Sequence, residues 1–125
     1  MGEIRSFEDL IVWQKAHAFF LDVVQDIGAF TSGLAGRVIA NQVLRSGSSI
    51  SANIAEGFGR RTGKEYTHYL IVARGSTTET LDWYLKCRDL RLVDAPVFAS
   101  GRATLEEILK MLNRMISQQL SKRIH

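Results

Sequence analysis

The chain has 125 residues and a mass of 14.0 kDa, enough for one hydrophobic core and too little for two. With 46% apolar residues, a single Pro and no repeat or low-complexity tract, it reads neither as a disordered segment nor as a solenoid or loop-rich all-β fold. Net charge is +3 with a sequence pI near 9.3, which admits nucleic acid or an acidic surface as a partner without demanding one.

The lone Cys87 excludes an intrachain disulfide and a cysteine zinc site. The N-terminus MGEIRSFEDL lacks the basic-then-apolar layout of a signal peptide, and no apolar run approaches the ~18 residues of a membrane span. A cytoplasmic protein with no membrane partner is expected. The charge is unevenly spread: residues 1–33 carry 2 basic and 5 acidic side chains, 34–74 carry 6 and 2, 75–94 carry 3 and 4, and 95–125 carry 5 and 2.

In the first helix a 3.6-residue period sets Leu10, Trp13, Ala16, Phe20, Val23, Val24 and Ile27 on one face, opposite Glu8, Lys15, Asp22, Gln25 and Asp26. Ser6 and Asp9 form its capping signal, Gly28 its stop, and AFTSG the following loop. Val12 and Phe19 lie along an edge beyond the main face.

The second helix is predicted over Leu34 to Glu56, with Ile39, Val43, Ile50 and Ile54 inward. RSGSSIS is poor in helix formers, yet the apolar phase runs through it unbroken, and small residues admit a close neighbour. Gly57 and Gly59 are read as its end, and Phe58 to Arg61 as a turn. Thr62 and Glu65, a T-x-x-E capping box, open the third helix at Gly63, which continues to about Arg91.

That third helix carries two apolar stripes. Tyr66, Leu70, Ala73, Thr77, Leu81 and Tyr84 make one; Tyr69, Val72, Trp83, Cys87 and Leu90 make the other, leaving a narrow polar arc. A helix apolar over half its circumference is central in its fold or covered by another chain. Tyr69, Val72, Trp83 and Leu90 are therefore the candidate interface between copies. The fourth helix starts near Asp94 and Pro96, with Thr104 to Glu107 a second possible start, and points Leu105, Ile108, Leu109, Leu112, Ile116 and Leu120 inward. Four long helices with short connections and no credible strand predict an all-α fold, one antiparallel up-and-down four-helix bundle over residues 1–125.

Glu56, Asn53, Ser49, Ser46 and Gln42 form a polar row beside the apolar face of the second helix. Folding helices two and three back near residue 60 sets Asn53 near Tyr69, Ser49 near Ala73, Ser46 near Ser76 and Gln42 near Thr80. Buried polar groups must be paired, so the row is read as a structural seam fixing how the two helices dock.

Four motifs make the chain recognisable: F-x-D-L-x-V-W-Q-K-A at Phe7 to Ala16, S-I-x-A-N-I-A-E-G at Ser49 to Gly57, R-x-x-x-K-E-Y at Arg60 to Tyr66, and A-x-G-S-x-x-E at Ala73 to Glu79. With them it resembles the four-helix-bundle family encoded in intervening sequences of bacterial large-subunit ribosomal RNA genes, related to accessory proteins of diversity-generating retroelements. The resemblance implies a bundle, an RNA setting and ring-like homopentamers; it implies no established activity. Ser51 and the TSG of the first loop stand where the family usually has Pro.

Catalytic chemistry finds no support. Glu65 and His68 make one E-x-x-H step, but a carboxylate-bridged metal site needs two, and neither His17 nor His125 supplies the second. The serines of RSGSSIS lie on a helix rather than a strand-to-helix elbow, Cys87 falls on an apolar stripe, and no phosphate loop is present. No cofactor, metal or small-molecule substrate is implied. What remains is surface charge: Arg60, Arg61 and Lys64 at the hairpin tip, with Lys110 and Arg114 as weaker candidates because Glu106 can pair with Lys110. The expected function is a non-catalytic homo-oligomer associated with RNA through these basic residues; the alternative is a protein-interaction scaffold with no nucleic-acid role.

Overall fold

The computed structural model describes residues 3–27, 33–60 and 62–124. A single 3-10 turn, Phe7–Asp9, precedes four helices: α1 (Ile11–Ile27), α2 (Leu34–Arg60), α3 (Gly63–Asp89) and α4 (Ala95–Ile124), and there is no strand among the described residues. Each helix packs on the next and α1 packs on α4, with α2 on α3 the most extensive contact, so the helices form an up-and-down antiparallel square around one core.

Local chemistry accounts for the starts. The Ser6 hydroxyl accepts from the Glu8 amide at 3.2 Å, and the Asp9 carboxylate accepts from the amides of Arg5 and Ser6 at 2.8 and 3.0 Å. This capping box closes the 3-10 turn, and α1 itself begins two residues later. At α4 the Asp94 carboxylate accepts from the Val97 amide at 3.0 Å, the expected cap. The second candidate start lies inside the helix, where the Thr104 hydroxyl donates to the Ser100 carbonyl. Gly28 and the AFTSG loop, apart from Gly33, lie outside the described residues.

Helix α2 runs unbroken through RSGSSIS and Ser51, as the apolar phase predicts, but it does not stop at Gly57 or Gly59. Gly57 is a packing residue: a Cβ there would stand 2.8 Å from Cβ of Tyr69. Its missing side chain is what lets α3 approach. The end of α3 was not anticipated in detail. Arg91 takes a left-handed backbone, φ 58°, the Leu92 amide donates to the Cys87 carbonyl, and the Arg91 amide donates to that of Arg88. This is a Schellman cap with Arg where Gly is usual.

The core holds Ile39, Val43, Ile50 and Ile54 of α2, Leu70, Ala73, Thr77 and Tyr84 of α3, and Leu105, Ile108, Leu112 and Ile116 of α4, as the periodicity predicts. Leu120 is 45% exposed instead. Helix α1 corrects the reading most: Val12, Ala16, Phe19 and Val23 are buried, while Val24 is 49% exposed. Apolar residues cover so much of α1 that its sequence offers two centres for the inward face. Packing chooses between them: the Phe19 ring lies in ordinary contact distance of Gly47 of α2 and packs on the Tyr84 ring of α3, centroids 5.6 Å apart.

Candidate nucleic-acid interface

At the hairpin tip the arrangement is more neutral than the sequence suggests. Arg60 donates to the Glu56 carboxylate at 3.1 Å, lies 3.7 Å from that of Glu65, and stacks its guanidinium over the Tyr69 ring at 5.3 Å. Tyr69, then Glu56, hold its pKa above the ordinary arginine value. Two carboxylates thus already answer this cation. Thr62 donates its hydroxyl to Glu65 at 3.1 Å and caps no amide, so the predicted capping box is not formed. Lys64 is exposed with no ion pair among the described residues, and Arg61 lies outside them.

Helix α4 carries the stronger surface. Lys110 and Arg114, one turn apart, are both exposed, and neither forms an ion pair among the described residues. Glu106, expected to neutralise Lys110, pairs with Arg102 at 3.6 Å. From Ile108 onward the sequence contains Lys110, Arg114, Lys122 and Arg123 and no acidic residue. Arg114, Ser117, Gln118, Ser121 and Lys122 line a shallow groove of about 560 Å³. Arg74 of α3 stands beside this helix and donates to Asn113 at 3.1 Å. Lys122, Arg74 and the groove's hydroxyl and amide groups were missed from sequence; the acid-free run was the signal. Lys122 also flanks Phe58 and Tyr66, so the two basic regions share one end of the bundle.

The polar row is wired differently from the expected seam. Only Ser46 reaches across among the predicted pairs' members, and it meets Thr80 rather than Ser76, hydroxyl to hydroxyl at 2.9 Å, with both residues fully buried. Arg45 pairs with Glu79 one position earlier on each helix. The register is one helical turn beyond the expected one. Two causes add: α2 extends to Arg60, and side chains tilt toward their own helix N-terminus, so antiparallel partners meet slightly C-terminal to the naive positions. The rest of the row bonds within α2: Asn53 donates its amide to the Ser49 carbonyl at 2.7 Å, Ser49 donates to the Ser46 carbonyl at 2.8 Å, Gln42 accepts from Arg45, and Glu56 serves Arg60. Ser76 contributes its carbonyl, which accepts from the Thr80 hydroxyl at 2.7 Å.

Of the second α3 stripe, Cys87 is buried, and burial pushes its thiol up to about 11. Tyr69 and Trp83 are half-buried, the latter donating its indole N–H to Glu79 at 3.1 Å. Val72 and Leu90 are 37% and 53% exposed. Val12 and Phe19, counted from sequence as surplus apolar surface on α1, belong to the core. Among the described residues no group of three His, Cys, Asp or Glu side chains is placed to hold a metal ion, and no helix is long and apolar enough to cross a membrane.

Comparison with known proteins fits this architecture. A family model described as 23S rRNA-intervening sequence protein matches residues 8–114. The chain is similar to a crystal structure of a protein of unknown function from the S23 ribosomal protein family of Bacteroides thetaiotaomicron VPI-5482, with a TM-score of 0.79 and 25% identity, covering 86% of this chain and 96% of that one. Among curated proteins nothing matches.

Proposed function

The chain belongs to the 23S rRNA-intervening sequence protein family, and on that premise we propose that it is a non-catalytic, homo-oligomeric protein that associates with structured RNA through phosphate contacts. One observation carries the reading: the exposed cations Lys110, Arg114 and Lys122, without an ion pair among the described residues, on the acid-free half of α4, interleaved with Ser117, Gln118 and Ser121. Lys and Arg with hydroxyl and amide donors are the groups that bind phosphate oxygens, and such contacts position a backbone without reading bases. Lys64 extends the surface at the same end of the bundle; Arg60 contributes less, being held by Glu56 and Glu65.

Titration with a structured RNA at several salt concentrations tests this. Log affinity falls linearly with log salt, and each phosphate contact removed flattens the slope by about 1. The triple variant Lys110→Ala, Arg114→Ala, Lys122→Ala is expected to flatten it by about 2 to 3, and Arg60→Ala by well under 1. Absence of binding at low salt, or an unaltered slope in the triple variant, overturns the reading. Protein co-purified after nuclease treatment, with no excess absorbance at 260 nm beforehand, would instead support a protein-interaction scaffold.

A further inference from the structure

At the end of the bundle away from the hairpin tip, α1, α3 and α4 line an open pocket of about 300 Å³ whose polar lining is Asp22, Gln25, Asp26, Tyr84, Ser100 and Thr104. Neither aspartate has an ion-pair partner among the described residues. An adjoining recess of about 230 Å³ is lined by Gln25, Asp26 and Asp94. Three carboxylates therefore converge with no ion-pair partner among the described residues. Helix ends add to the negative potential, since α1 and α3 both terminate here with their carbonyl ends. The opposing N-terminus of α4 is muted: Pro96 has no N–H, and the Val97 amide is taken by Asp94.

An independent observation comes from Tyr84. It is only 4% exposed, and its hydroxyl makes no hydrogen bond with any described residue. Since no fully buried side-chain oxygen or nitrogen among the described residues lacks a partner, this hydroxyl opens into the cavity it lines. The hydroxyl is thus reachable from the pocket, and its donor and acceptor sites are taken by no described residue and are open to a bound molecule. The ring is also built into place. It lies in the space left by Gly101, where a Cβ would stand 2.3 Å from the ring, and packs against Phe19 with centroids 5.6 Å apart.

From this geometry we propose that the cavity binds a small aliphatic diamine or polyamine, one ammonium seated among Asp22, Asp26 and the Tyr84 hydroxyl and its chain running toward Asp94. An ammonium supplies the N–H donors and the positive charge that these acceptors lack, and its methylenes match Phe19, Pro96 and Val97 along the same wall. The volume suits a molecule of that size. Crowding of Asp26 agrees with this: desolvation, then Asp22 and Asp94, raise its pKa, a penalty that a bound cation would relieve.

The test is calorimetry of the full chain, freed of nucleic acid, with putrescine and with spermidine, alongside magnesium chloride and sodium chloride at matched ionic strength. Saturable amine binding below about 10 mM is expected, weakened about tenfold or more by Asp22→Asn or Asp26→Asn. Tyr84→Phe, which keeps the ring and the packing, is expected to weaken it about fivefold with the far-ultraviolet dichroism unchanged. Equal heats from magnesium at matched ionic strength, equal affinity in the two Asn variants, or no saturation by about 10 mM overturns the proposal.

Discussion

Ser46 and Thr80 show how one hydroxyl proton decides which substitution costs more. Thr80 has a single proton, and its 2.7 Å bond to the Ser76 carbonyl uses it, so the proton in the 2.9 Å cross-helix bond belongs to Ser46. Thr80→Val then strands a donor at a fully buried site and should cost ~1–3 kcal/mol, whereas Ser46→Ala leaves Thr80 satisfied and should cost only ~1 kcal/mol. Because each removes the same bond, the double variant should lose less than the two singles together in urea denaturation; simple additivity would refute the pairing. Asp26 obeys the opposite logic. Its folded pKa is raised, first by desolvation and then by Asp22 and Asp94, so ionisation opposes folding. The protonated form carries no such penalty, so stability should be greatest below the unfolded-state carboxyl pKa and decline as pH rises through the folded one. Asp26→Asn should therefore raise Tm at neutral pH by an increment that disappears in acid, and an increment independent of pH would refute it. Cys87, with burial holding its thiol near 11, should resist alkylation at pH 8 in the native protein and react at once in denaturant.

Glycines on one helix can have opposite roles, and α2 offers the comparison. A Cβ at Gly57 meets the Tyr69 Cβ, which is tied to backbone and cannot swing away; one at Gly59 meets nothing within 4 Å. Gly57→Ala should destabilise by ~1–3 kcal/mol through the lost approach of α3, whereas Gly59→Ala should stabilise by up to ~1 kcal/mol through helix propensity. Denaturation midpoints moving in the same direction would refute that division. The sequence could not separate these glycines, because propensity makes both look like a helix stop and only the neighbour's position distinguishes them. The existence of all four helices was legible, since the apolar period ran through each, even across RSGSSIS, although the Thr62 box and the Gly57 stop were not formed. The phase of α1 was not, because its apolar arc is wide enough for two solutions until the neighbouring helices cover Val12, Ala16, Phe19 and Val23. Nor was the seam's wiring. Asn53 has a helix carbonyl within reach at i−4, and that local bond replaces the cross-helix one. Asn53→Leu should accordingly change stability by less than ~1 kcal/mol, since the Ser49 carbonyl keeps its ordinary place in the helix. At the candidate interface the basic tip was visible as a charge cluster, but its neutralisation was not, because reading the helix as ending at Gly57 hid the i,i+4 pairing of Arg60 with Glu56, and Glu65 comes from the next helix.

At the scale of the whole molecule the unspent feature is apolar surface. Leu34 is 72% exposed, Val38 48%, Val72 37% and Leu90 53%, all on α2, α3 or the cap of α3, the pair that also carries the partly covered Tyr69 and Trp83. Burying such side chains between subunits contributes ~25 cal/mol per Å² removed from water, and closed symmetry buries every copy without open-ended growth. Val12 and Phe19 belong to the core, and although Ile11, Leu21 and Val24 leave apolar surface on α1 too, the α2 and α3 face is the candidate interface that the sequence singled out, and it lies away from the α4 groove. That separation matters for the proposed function, because a ring built through α2 and α3 would leave each copy's Lys110, Arg114 and Lys122 outside the contact and repeat them around its rim. Multivalent contact with one RNA then exceeds the affinity of a single groove. Trp83→Glu is an ambiguous probe, as the half-buried indole also packs on the core, whereas Val72 already meets solvent in the single chain. Light scattering at micromolar concentration should return a mass well above 14.0 kDa for the native chain, about 70 kDa for five copies, and near 14.0 kDa for Val72→Glu with helicity unchanged. A native monomer overturns self-association altogether, and a Val72→Glu variant that stays assembled moves the interface off this face.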